Sequence, residues 1–295
     1  MSGKKNMSLD RRHSLTGWLF LLPATVLLCW VSFYPMFKAL ILSFKTGIGQ
    51  NMKWAGTANY ERIFEDKVFQ GTLFNNFLYL IIQVPIMLIL ALLLASLLNS
   101  RNLKFKGLFR TAIFLPCATS LVAYSIVFRS MFSLDGFVNS VLLNAGIITT
   151  KINWLTNTGS ARAVIIIALI WRWTGYNMLF YLAGLQNIEG SIYEAARIDG
   201  AGPLKLLTKI TVPILQPIIL LTSIMSTIGT LQLFDESFNL TNGGPANSTM
   251  TMSHYIYKVS FLNTPKFGYA AAMSFVILII VAVLSFVQMK KGDKR

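Results

Sequence analysis

Long apolar runs alternating with short polar segments set the organisation of this chain. The runs cover roughly residues 15–42, 72–98, 108–132, 163–185, 210–233 and 267–287. Each meets or passes the ~20 residues a helix needs to cross about 30 Å of hydrocarbon. The pattern therefore predicts an all-α polytopic membrane protein with six transmembrane helices. The first run begins like a signal peptide. It is too long for one and lacks a small-x-small cleavage pattern, so it reads as a retained span. Trp18 near one end and Trp30, Phe33 and Tyr34 toward the other suit interfacial anchoring. Pro85, Pro116, Pro213 and Pro217 fall inside runs, where packed neighbours can satisfy the freed carbonyls.

The most polar, turn-rich interruption of the C-terminal half runs from Ser191 to Pro203. Ser191-Ile192-Tyr193-Glu194 has the form of a capping box. Gly200 suits a left-handed C-terminal residue. Pro203 can start the next helix without losing a needed donor. The stretch predicts a short helix, a sharp turn and a restart.

Composition agrees with the pattern. The 295 residues are 54% hydrophobic and 13% charged, with a mean hydropathy of +0.59. A soluble domain carries about twice that charge. The net charge of +15 would suggest nucleic acid in a soluble protein, but here it reads as a topology signal. Lys4, Lys5, Arg11 and Arg12 precede the first run, and Arg101, Lys104, Lys106 and Arg110 lie between the second and third. Arg197, Lys205 and Lys209 lie between the fourth and fifth, and Lys290, Lys291, Lys294 and Arg295 follow the sixth. These segments are denser in positive charge than the longer alternate ones. They are the predicted cytoplasmic side, which places both termini inside. Residues 1–14 and 290–295 are then cytoplasmic tails around a permease domain of 15–289, with an inner loop at 186–209. Cys29 and Cys117 lie in apolar runs and predict buried thiols. His13 and His254 are far apart and have no second ligand at metal spacing.

Several chemistries are missing. No G-x-x-x-x-G-K-S/T loop cradles a nucleotide phosphate, and neither H-E-x-x-H nor G-x-S-x-G occurs. No carboxylate pair sits in the middle of a run, where a proton relay would need one.

Glu194-Ala195-Ala196, then Gly200, then Ile210-x-x-Pro213 resembles the EAA loop of ABC importer permeases, with Val212 where leucine is usual. More of the chain is similar to carbohydrate importer permeases of the maltose, lactose and multiple-sugar type. The matching stretches are Trp171 through Gln186, Leu240-Thr241-Asn242-Gly243-Gly244-Pro245, Asn59-Tyr60 and Phe114-Leu115-Pro116. The resemblance implies a type I ABC importer permease fold in a bacterial cell membrane. It implies a permease subunit without its own ATPase, forming half of the pathway for a sugar, a di- or oligosaccharide. The partners it implies are a second homologous permease in a heterodimer, two cytoplasmic ABC ATPases that bind ATP and Mg, and an extracellular sugar-binding protein or lipoprotein. No cofactor is implied on this chain. The alternatives are an importer of a glycerol phosphate or other polar solute, and a stand-alone secondary carrier.

The resemblance assigns ATPase coupling to the helix carrying Tyr193, Glu194, Ala195, Ala196, Asp199 and Gly200. It points to Cys117, Trp173, Tyr176, Ser226, Thr230 and Leu233 as the substrate pathway. The residues themselves add Arg172 and Asn177, which complete a polar and aromatic cluster with Trp171, Trp173 and Tyr176 in the fourth run. At i, i+4 spacing Arg172 and Tyr176 share one face, and Trp173 and Asn177 another. An intramembrane arginine needs a cavity or a partner. Arg172 is open between a sugar contact and a structural pair, with Asp235 or a partner residue as its mate. Ser226, Thr230 and Leu233 fall on one stripe. Asn76, Tyr79 and Gln83 are weaker candidates, and Asp235 and Glu236 are either gate residues or solvated helix-end charges.

Overall fold

A computed structural model of the chain describes residues 9–48, 51–100 and 103–292. Of the expected tails at 1–14 and 290–295, residues 1–8 and 293–295 lie outside those residues, while 9–14 belong to the first helix and 290–292 to the last. α1 (Leu9–Leu28) continues through a π-helical segment, Cys29–Phe33, into α2 (Tyr34–Ser43). A two-residue hairpin follows, with β1 (Lys45–Thr46) antiparallel to β2 (Lys53–Trp54). Next come α3 (Ala58–Glu65), α4 (Lys67–Leu98), α5 (Lys106–Ala118), α6 (Leu121–Met131), α7 (Phe137–Asn144), α8 (Thr158–Gln186) and α9 (Gly190–Ile198). α10 (Pro203–Lys205) runs through a π-helical Leu206–Thr211 into α11 (Val212–Leu231). A π-helical Glu236–Leu240, α12 (Met252–Tyr257), a π-helical Lys258–Leu262 and α13 (Phe267–Gly292) complete the described chain.

Five helical stretches are long and apolar enough to span a membrane: Thr16–Ser43, Lys67–Leu98, Thr158–Gln186, Pro203–Leu231 and Phe267–Gly292. The third apolar run is different. It forms two helices, α5 and α6, bent by 98° across Thr119 and Ser120. Counted as one broken span, the pair brings the total to six.

α4 and α8 pack along each other and form the centre. Small residues let them approach: Ala91, Ala95, Ala161 and Ala168 are fully buried. At Gly175 the approach to α5 is closer still, because an added Cβ would collide with the Ile113 carbonyl oxygen. α11 lies against α4 and α13, and α13 against α2. The N-terminal half of the first span stands apart, since every residue from Thr16 to Leu28 is exposed. Cys29 is exposed there and Cys117 half-buried, so the expectation of buried thiols fails; both are free.

The resemblance motifs acquire physical reasons here. Asn59 donates to the Ser43 and Lys45 carbonyls, both at 2.8 Å, and so satisfies the end of α2. The Tyr60 hydroxyl meets Ser43 Oγ at 2.7 Å. Asp66 caps α4, accepting from the Val68 amide at 2.9 Å and the Phe69 amide at 3.2 Å. It also accepts from Tyr255 at 2.7 Å and Tyr269 at 2.6 Å, which ties three elements together. Burial pushes the Asp66 carboxyl up, but the bonds from Tyr269, Tyr255 and the two amides outweigh it and hold its pKa below 3.8.

Candidate functional site

A cavity of about 410 Å³ opens between α4, α8 and α11. α8 supplies Trp173, Tyr176 and Asn177, near the middle of its length. α11 and the residues after it supply Ser226, Thr230, Leu233, Phe234, Asp235 and Glu236. α4 supplies Gln83 and Met87. Six of the eight residues expected in the pathway therefore line one space.

The remaining two do not. Arg172 is only 5% exposed and points to the break between α5 and α6. One guanidinium nitrogen donates to the Pro116 carbonyl at 3.2 Å. The other donates to the carbonyls of Cys117 at 3.3 Å and Thr119 at 2.9 Å. A helix interrupted inside a membrane leaves orphan carbonyls at its C-terminal end, and a cation there also complements the helix dipole. The Tyr124 ring lies over the same guanidinium at 4.7 Å. The expected pairing with Asp235 is not made; the one salt bridge among the described residues joins Lys151 and Asp135. Arg172 and Tyr176 share a helical face by spacing, but α5 covers one and the cavity takes the other. Cys117 enters this arrangement through its carbonyl rather than its thiol.

The cavity wall is cross-linked. Thr230 Oγ1 donates to Gln83 Oε1 at 3.1 Å. Asn177 donates to the Trp173 carbonyl at 3.0 Å. Trp173 and Tyr176 meet edge to face with centroids 5.8 Å apart, a favoured aromatic geometry. Of the weaker candidates on α4, only Gln83 reaches the cavity. Asn76 instead donates to the Thr230 and Leu231 carbonyls at 2.9 and 3.1 Å, closing the end of α11, and accepts from the Met252 amide at 2.9 Å. Tyr79 is fully buried in the core. Glu236 overturns the solvated helix-end reading. It is 2% exposed, lines the cavity and accepts from the Tyr124 hydroxyl at 2.8 Å. Burial raises its carboxyl pKa, and the Tyr124 bond acts in the opposite sense. Its burial had no signal in the sequence, because the covering Tyr124 arrives from the bent-back α6.

The helix that follows α8 is the second part of the site. α9 buries none of its residues; Glu194 and Ala195 are exposed and Ile198 is 86% exposed. Its C-terminus is a Schellman closure. The Ala201 amide donates to the Ala196 carbonyl at 2.9 Å and the Gly200 amide to the Arg197 carbonyl at 3.0 Å. Gly200 sits at φ +78°, the left-handed position its place in the sequence predicts. The capping box does not form. The helix starts earlier, with Glu189 at the N-cap, and Ser191 reaches back to Glu189 Oε2 at 3.4 Å rather than forward to Glu194. Tyr193 fixes the helix to the next span through Thr211 Oγ1 at 3.0 Å. A cavity of about 680 Å³ lies beneath, lined by Asn99, Tyr193, Glu194, Arg197 and Pro203 among others.

Comparison with known proteins places the chain in a family. The chain is 53% identical to the lactose transport system permease protein LacF of Rhizobium radiobacter, with both chains fully covered. It is 36% identical to the arabinooligosaccharides transport system permease protein AraP of Halalkalibacterium halodurans, over 90% of this chain and 85% of that one. A bacterial ABC transporter involved in the import of alginate has the same fold, with a TM-score of 0.83, 22% identity and 96% of each chain covered. Residues 67–289 match the family described as binding-protein-dependent transport system inner membrane component. The chain belongs to that family, and is a multi-pass permease subunit of an inner membrane transport system.

Proposed function

We propose that this chain forms half of the translocation pathway of an ATP-driven importer for a di- or oligosaccharide, working by alternating access. The observation that carries the proposal is the lining of the central cavity. Aromatic faces of Trp173, Tyr176 and Phe234 stand beside the uncharged hydrogen-bonding groups of Gln83, Asn177, Ser226 and Thr230. Few polar groups on apolar walls is the usual make-up of a small-molecule site, and it suits a sugar with its apolar faces and hydroxyl rim. The names of the lactose and arabinooligosaccharide relatives support the same substrate class. In this reading Arg172 and Cys117 shape the pathway without touching the sugar.

The other half of the pathway comes from a second, homologous permease. Two ABC ATPases bind ATP and Mg on the cytoplasmic side, where both termini lie. A sugar-binding protein or lipoprotein delivers substrate from outside. α9 is the coupling helix. Tyr193 holds it to α11, Glu194, Ala195 and Ala196 present it to an ATPase cleft, and Asp199 and Gly200 end it in a rigid turn. It is the direct link between α8 and the α10–α11 span, two walls of the cavity, so a push on it moves both. The test is uptake of labelled disaccharide into proteoliposomes. Uptake is expected only from the full complex with ATP and binding protein. Sugar moving down its gradient through this chain alone would sink the importer reading.

A further inference from the structure

Among the described residues, no basic side chain lines the central cavity. Its two carboxyl groups, Asp235 and Glu236, stand together at the end where α11 has finished. Arg172, the basic residue near the middle of the fourth span, donates to the backbone of the α5–α6 break behind Tyr124 and is absent from the lining. Three further polar groups of the wall, Gln83, Asn177 and Thr230, are themselves nearly fully buried and uncharged.

We propose that Asp235 and Glu236 make this cavity a charge filter, admitting neutral saccharides and rejecting those that carry a carboxylate or another anionic group. This rests on the sugar-pathway reading above and narrows its substrate class. A buried anion needs a paired cation or a full set of donors. The wall that this chain supplies offers no cation among the described residues, and presents acidic groups instead. Like-charge contact in a poorly screened site weakens binding steeply. Burial favours the neutral form of Glu236, so the half-buried Asp235 is the group that meets an incoming anion, with Glu236 held beside it by the Tyr124 hydroxyl at 2.8 Å. A methyl or hydroxymethyl group at the same position on the sugar meets no such penalty.

The experiment uses the purified complete transporter without binding protein, so that the binding protein's own selectivity does not enter. The probes are a uronate-bearing disaccharide and its methyl ester, which differ in charge and hardly in shape. Each competes against a radiolabelled neutral disaccharide. The ester is expected to bind at least about 10-fold tighter than the carboxylate. In the D235N/E236Q double variant that ratio is expected to fall toward unity. Gln at 236 can still accept from Tyr124, and the ratio is read within one preparation whatever the absolute affinity. Equal binding of ester and carboxylate by the unaltered complex overturns the filter while leaving the sugar pathway standing. So does an unchanged ratio in the double variant. Binding of neither the neutral disaccharide nor the ester overturns the sugar-pathway reading itself.

Discussion

Arg172 shows how one residue settles a local fold. Its guanidinium serves three carbonyls at the end of α5. Each is a charge-assisted bond. Arg172→Met strands those acceptors, and is expected to cost about 2–5 kcal/mol and to lower the thermal midpoint of the purified complex. Arg172→Lys should recover only part of the loss, because an ammonium lacks the planar fork that reaches several acceptors at once. Equal stability of the methionine variant would remove Arg172 from this role. Gly175 makes a parallel case without charge. Gly175→Ala drives a methyl into the Ile113 carbonyl, so α5 and α8 must separate. Overpacking of that kind costs about 1–3 kcal/mol. The same thermal measurement reads it, and a paired Ile113 substitution should not relieve it, since the clash is with backbone.

At the scale of elements, α9 differs from the long helices it joins in burying none of its residues while closing firmly at its C-terminal end. Glu194→Lys reverses charge on the exposed face and leaves the fold alone. It is expected to preserve insertion and assembly but to abolish substrate-stimulated ATP hydrolysis by the complex. Gly200 sits at φ +78°. Gly200→Val forces a β-branched residue into that left-handed region at a cost of roughly 1–2 kcal/mol, and should unlatch the turn with the same loss of coupling. Wild-type uptake in either variant would detach α9 from energy transfer. The existence of this element was legible in the sequence because Gly200 and Pro203 are local signals. Its first residue was not, because Glu189 and Ser191 compete for the same cap and only the folded chain decides. The same division runs through the spans. Apolar runs announce themselves by length, and the stripe of Ser226, Thr230 and Leu233 by its period. The bend after Pro116 is not legible, since a proline inside a run is compatible with a straight helix. What breaks this one is stabilised by Arg172 from another span. Glu236 follows the same logic: its burial depends on that bend.

Across the whole molecule, a polar assembly gathers α3, α4, α12, the start of α13 and the loop from Thr241 to Thr251. Asn76 joins it to the last turn of α11, and Arg162 joins it to α8 by donating to the Ser248 carbonyl at 2.9 Å and to Asn75 at 2.8 Å. Within it His254 is 1% exposed, with Nδ1 at 2.8 Å from Ser237 Oγ and Phe234 and Phe238 against its ring. Burial, together with the charge of Lys258, lowers the His254 pKa from 6.5 to about 4. The folded state therefore keeps the ring neutral while an unfolded chain takes up a proton. Stability is full above 6.5 and declines as the pH falls from 6.5 toward about 4. Asp66 acts in the same sense further down. Its lowered pKa gives a contribution that is present above 3.8 and is lost as the pH drops through the folded value. Phe234 lines the cavity and also packs on His254, so protonation that loosens the ring also loosens the cavity wall. The thermal midpoint of the complex is expected to fall on acidification through that window, with sugar affinity falling alongside it. His254→Asn keeps a polar group for Ser237 but has nothing to titrate, so its midpoint should start lower and change little down to about pH 4. A variant that loses stability on acidification as steeply as the unaltered complex would place the sensitivity elsewhere in the transporter.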